Sequence, residues 1–239
     1  MKVLYPLFLA VALLTTGCAE LDPELVGAVL GAPTDQRPLD EATVSRGLKE
    51  ALRIGSERAI DDVSRVDGFL ANHLIRIQLP EELREMAKVL RQIGLHRQVD
   101  ALETAMNRAA EEASGEARGV FVDAITGMTI ADAFGILRGH ETAATDYLRT
   151  HTSDSLRQRF EPIIERKMER VALYTTYNDL VDAYNQFSFS RQPAVRLDEY
   201  LTDRTLDGLF ETLAEEEQKI RRDPVARTTE LLRRVFGRR

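Results

Sequence analysis

The chain has 239 residues, 30% of them charged and 44% hydrophobic, with a formal net charge of −7. That length suits one sizeable domain with a real core, and the acidic balance argues against a general nucleic-acid binder, which is ordinarily basic. With one cysteine there is no internal disulfide and no CxxC metal or redox motif, and without tryptophan no aromatic ligand cage is advertised.

The first 17 residues carry Lys2, an apolar run from Val3 to Leu14 and then small residues, the pattern of a secretory signal; the run is too short for a permanent membrane span. Leu14-Thr15-Thr16-Gly17-Cys18 resembles the bacterial lipobox, departing from it at Thr15, where leucine is usual. The resemblance implies that Cys18 becomes the acylated first residue of the mature protein. Ala19 implies outer-membrane rather than inner-membrane retention, with the protein facing the periplasm. Each acyl CH₂ buried in a bilayer contributes about 0.8 kcal/mol, so several chains anchor firmly. Residues 18–38, with Pro23, Pro33, Pro38, Gly27 and Gly31, read as the lipidated end and a tether.

The helical domain is expected over 39–237. Asp40 is placed to cap a first helix with the stripe Val44, Leu48, Ala51, Gly55, Ala59 and Val63, which a turn at Asp67-Gly68 ends. Over 69–80 the helical period fails: Ile75, Ile77 and Leu79 alternate with Arg76 and Gln78, as in an extended segment laid along a groove. Pro80 opens the next helix, which buries Leu83, Met86, Ala87 and Leu90 and stops at Gly94; another follows from His96 to Ser114.

The stretch 120–160 is read as the organising centre. Thr129 and Asp132 form a capping box for a short helix whose face is Ile130, Ala133, Phe134 and Leu137, with Gly139 ending it in the left-handed conformation. A third phrase carries Ala144, Tyr147 and Leu148; Thr152 or Ser153 is expected to cap a fourth, with Leu156 and Phe160. Pro162 should bend or restart that helix. A further apolar face runs to about Gln186, and Asp198 or Thr202 is expected to cap a helix with Leu206, Leu209, Phe210, Leu213 and Ile220, with Glu215-Glu216-Glu217 on a solvated face. No β-branched alternation of a sheet and no fixed repeat occurs, so the expected fold is all-α: a single compact domain of short and medium helices.

Residues 218–239 hold eight basic against two acidic residues, so the rest of the chain carries −13. Val225, Leu231, Leu232, Val235 and Phe236 share a side there, among Arg233, Arg234, Arg238 and Arg239. Those four arginines are candidates to face an anionic membrane. The preferred alternative docks the apolar side on the core.

Candidate chemistry is sparse. His140-Glu141 lacks the second histidine of HExxH, and a site between His140 and His151 has no cysteine cluster to support it, so neither metal nor cofactor is expected. Thr145, Asp146, His151 and Ser153 form a candidate polar cluster. His151, Ser153 and Asp154 are too close in sequence for triad geometry and no nucleophile elbow surrounds Ser153, so no catalytic residue is assigned. Asp123, Asp132 and Asp146 could converge as an acid/base set, but capping and hydration explain them.

The phrases VDGFLANHLIRIQLPEELREMAKVLRQIG, FVDAITGMTIADAFGILRGHETAATDYLRTHTSDSLRQRF and LDGLFETLAEEEQKIRRDPVARTTELLRRVFG resemble a bacterial lipoprotein family catalogued as domain of unknown function 4197. The resemblance covers about 39–237; members often have Asn-Pro-Ala where this chain has Asn72-His73-Leu74. It implies a helical domain in the envelope and supplies no catalytic residues. A non-catalytic lipoprotein that binds a partner or supports the envelope is therefore expected first, an apolar-ligand pocket second and an envelope hydrolase third.

Overall fold

A computed structural model describes residues 40–170, 173–187 and 195–229, together with 233, 235 and 236. The expected signal, the tether and Cys18 lie outside the described residues. Residues 39–239 form one compact unit, built from helices α1 (Glu41–Ser64), α2 (Arg84–Gln92), α3 (His96–Ser114), α4 (Ala117–Gly127), α5 (Ile130–Arg138), α6 (Ala143–Arg170), α7 (Leu173–Phe187) and α8 (Leu197–Arg222). No strand occurs among the described residues, so the fold is all-α as expected.

α8 runs along both α1 and α6 and reaches α3, while α4 and α5 also pack on α1. The centre is aromatic and aliphatic: Phe69, Phe121, Phe160 and Phe210 are fully buried, and the rings of Phe121 and Phe210 meet at 5.9 Å. Asp40 caps α1 through Thr43 N–H (2.6 Å). Thr129 and Asp132 make the capping box of α5, each accepting from the other's backbone N–H. Gly68 and Gly208 are set by close approaches. A Cβ on Gly68 would lie 2.4 Å from Asp62 O, and one on Gly208 would lie 2.5 Å from the Phe69 ring, so α8 can approach Phe69 this closely only at a glycine.

Several expectations are corrected. Gly139 is extended (φ −73°, ψ −177°), because the chain must turn at once into α6. Thr152 and Ser153 cap nothing; both lie inside α6 and bond the carbonyls of Leu148 and Arg149. Pro162 does not restart the helix but lies inside the continuous α6, since only one backbone bond is lost and the flanking Phe160 and Ile164 are fully buried. Asp198 and Thr202 lie within α8, whose N-cap is Arg196. Phe134 is half-buried beneath Arg138, and the core positions of α5 are Ala133 and Ile136. Glu216 and Glu217 are buried rather than solvated.

The 65–80 segment divides in two. Residues 66–71 and 73–75 are turns, and only 76–80 is drawn out as expected. At the chain's end Phe236 is buried and Val235 half-buried against the core, whereas Val225 is 84% exposed, so the described apolar positions do not share one face; Leu231 and Leu232 lie outside the described residues.

Candidate functional site

The expected polar cluster does not come together. All four residues sit on α6, but each has a different partner. Thr145 turns inward and its hydroxyl donates to Glu217 (2.9 Å). Asp146 is exposed and meets His140 Nε2 at 2.7 Å. His151 stacks on Tyr147 (4.1 Å), with Nδ1 at 2.7 Å from the Tyr147 carbonyl. Ser153 Oγ donates to Arg149 O (2.7 Å). Asp132 is engaged in its capping box, where the hydroxyl and N–H of Thr129 hold its carboxyl below the usual carboxylate range. Among the described residues no group of three or more acidic, histidine or cysteine side chains could hold a metal ion. Of the candidate membrane-facing arginines, Arg233 is exposed; Arg234, Arg238 and Arg239 lie outside the described residues.

The polar groups that matter most to the structure were not singled out from the sequence. Glu103, Asn107 and Glu111 are spaced by four on α3, so they form one stripe along the helix, and all three are buried. The Asn107 carboxamide accepts from Ile77 N–H (2.9 Å) and donates to Ile77 O (2.8 Å), taking the place of a neighbouring strand. Glu111 accepts from the N–H groups of Phe69 and Leu70, and its other oxygen accepts from Arg108 (2.6 Å). Glu103 lies between Arg76 (3.6 Å) and Arg91 (3.5 Å). A segment without regular structure leaves its backbone groups needing partners when it enters a core. The i, i+4, i+8 spacing of polar residues on a helix otherwise patterned for burial was the available signal.

Held in this way, the segment becomes the wall of a cleft. On one side a hollow of about 330 Å³ lies between residues 74–79 and the α8 residues Tyr200, Arg204, Asp207 and Glu211. On the other, a hollow of about 460 Å³ lies between residues 78–79 and the α2 residues Arg84, Lys88 and Arg91. The two share Gln78, Leu79 and Arg84 and so flank the same backbone. Tyr200 Oη donates to Gln78 O (2.9 Å), and burial pushes its phenol above its ordinary value, keeping it a donor. By contrast, the apolar cavity between α1, α6, α8 and Phe236 encloses only about 20 Å³, the space of a single water.

Among the described residues no single helix is long and apolar enough to cross a membrane. Only the bent pair His96–Gly127 and Ile130–Arg138, turned by 104°, reaches that composition together, and Val99, Leu102, Phe121 and Ile136 of that pair are buried in the core.

A family model described as a protein of unknown function, DUF4197, matches residues 38–237. Comparison with curated proteins and with solved structures finds no match.

Proposed function

We propose a non-catalytic role for this chain, which belongs to the DUF4197 family of proteins of unknown function: a lipoprotein held by acylated Cys18 in the bacterial outer membrane, facing the periplasm, whose helical domain binds a partner at its surface. One observation carries the reading. The buried polar side chains Glu103, Asn107, Glu111, Thr145 and Glu217 are engaged with backbone, with arginines or with one another, while the large hollows are open surface clefts. A reaction centre needs acid, base or nucleophile converging on one space. A closed core with an open cleft is instead the arrangement of a binding module, and a cavity of about 20 Å³ is too small for an acyl chain or comparable apolar ligand.

The test has two parts. Intact-mass measurement of the mature protein should find diacylglycerol-modified Cys18; a free thiol or a cut elsewhere overturns the anchor. A photocrosslinking side chain placed in living cells at Leu74, 70% exposed at the mouth of the cleft, should give a discrete adduct that a crosslinker at Val225 does not. The adduct should be lost when Cys18→Ala releases the protein, yet persist when Asp146, His151 and Ser153 are replaced together. Equal adducts at both positions, or loss with the triple replacement, contradict the reading.

A further inference from the structure

We propose that the cleft over Arg76–Leu79 binds an acidic peptide in extended conformation, an assignment that rests on the partner-binding reading and names its site. The first argument is charge. In a chain of net −7, this cleft is lined by five basic side chains, Arg76, Arg84, Lys88, Arg91 and Arg204, against Glu103, Asp207 and Glu211. Two of those acids act as supports. Glu103 sits beneath Arg76 and Arg91, and Asp207 bridges Arg149 (3.4 Å) and Arg204 (2.6 Å), fixing guanidinium groups at the rim. Arg84 and Lys88 have only loose contacts of 3.7 and 3.8 Å with Glu81 and Glu85 one turn away. Guanidinium forks already held in place recognise carboxylates with little further ordering.

The second argument is shape and backbone. The wall is itself drawn out over residues 76–80, which span roughly 13 Å at about 3.3 Å per residue, the reach of four or five residues of an extended ligand. Asn107 occupies the inner edge at Ile77, whereas the N–H of Gln78 has no partner among the described residues. An incoming peptide carbonyl can accept from that N–H while its carboxylates meet the arginines, as in strand addition to an open edge. Leu74 offers an apolar contact at one end. A bilayer surface would not enter such a cleft, so an acidic peptide fits it better than anionic lipid.

Fluorescence anisotropy of labelled N-acetyl-hexaglutamate amide with the full chain in detergent tests the assignment, with hexalysine as control, inorganic pyrophosphate as competitor and phosphatidylglycerol vesicles as a separate arm. Saturable binding at low salt is expected, weakening as salt rises, with no binding of hexalysine. The exposed pair Arg84→Gln and Arg204→Gln together should loosen it about tenfold without lowering the melting temperature. Glu211→Gln, removing the one cleft acid that has no ion pair among the described residues, should tighten it. Absence of saturable binding, indifference to the arginine replacements, or looser binding with Glu211→Gln overturns the proposal. So does equal competition by pyrophosphate or arginine-dependent vesicle binding, either of which would assign the cleft to phosphate. Failure here with the Leu74 adduct intact sinks the peptide alone; loss of that adduct as well sinks the partner-binding reading.

Discussion

Glu217 on α8 holds the first turn of α6 through Thr145, seventy-two positions away: its carboxylate accepts from Thr145 N–H (2.8 Å) and Thr145 Oγ1 (2.9 Å), and its second oxygen from Ala144 N–H (3.0 Å). A helix begins with backbone N–H groups that have no partner in the helix, and a negative charge is favourable there. Here the cap comes from another helix, so it joins α6 to α8 as well as starting α6. Arg221 completes the arrangement, bonding Glu217 (2.9 Å) and Ile136 O (3.0 Å) and so reaching α5.

Glu217→Ala should therefore destabilise the domain by about 2–4 kcal/mol, because it strands the N–H groups of α6 and takes the charged partner from the half-buried guanidinium of Arg221. Thr145→Val alone should cost about 1 kcal/mol, and much less once Glu217 is gone. Denaturant titration of the two single variants and the double variant checks this; additive effects would show that the two residues do not act together.

The capping box of α5 gives a pH dependence. Thr129 lowers the Asp132 carboxyl in the folded chain, first through its hydroxyl and then through its N–H. A lowered folded value means that the contribution is present above the ordinary carboxylate range and is lost as pH falls through the folded value. Asp132→Asn should be less stable than the parent near neutrality and converge with it in acid. Thr129→Ala should cost about 1 kcal/mol at neutral pH. Thermal melts from neutral to acid pH test both, and a constant gap across that range would exclude the titration.

The end of the chain should behave as core. Phe236→Ala should cost about 3 kcal/mol, since the ring is buried over the cavity beside Leu48, Leu52 and Ile220, whereas Val225→Ala should stay within about 0.5 kcal/mol. Equal melting temperatures for the two variants would mean that the end does not dock.

Much of the fold was legible because burial follows helical spacing. The α1 stripe from Val44 to Val63, the Asp40 cap, the Thr129–Asp132 box and the break in period before Pro80 all rest on local chemistry. What local chemistry could not show was which polar side chains are partnered across the core. Glu215-Glu216-Glu217 reads as a hydrated run, yet Glu217 is buried because its partners lie on α6. Thr152 looks like a cap beside Ser153 and is instead a buried residue inside a 28-residue helix. The cleft was foreshadowed by the Ile75–Leu79 alternation, but apart from Arg76 its charged lining comes from α2, α3 and α8, which only the tertiary fold brings together.

α3's buried Glu103–Asn107–Glu111 stripe turns an irregular segment into a rigid cleft wall, and amide hydrogen exchange reads that rigidity residue by residue. The N–H groups of Phe69, Leu70 and Ile77 belong to no helix, yet they are held by Glu111 and Asn107. They should exchange as slowly as the core of α3, and Asn107→Ala should release Ile77 selectively while α8 stays protected. Rapid exchange of these three amides in the parent protein, at the rate of a free loop, would contradict the account.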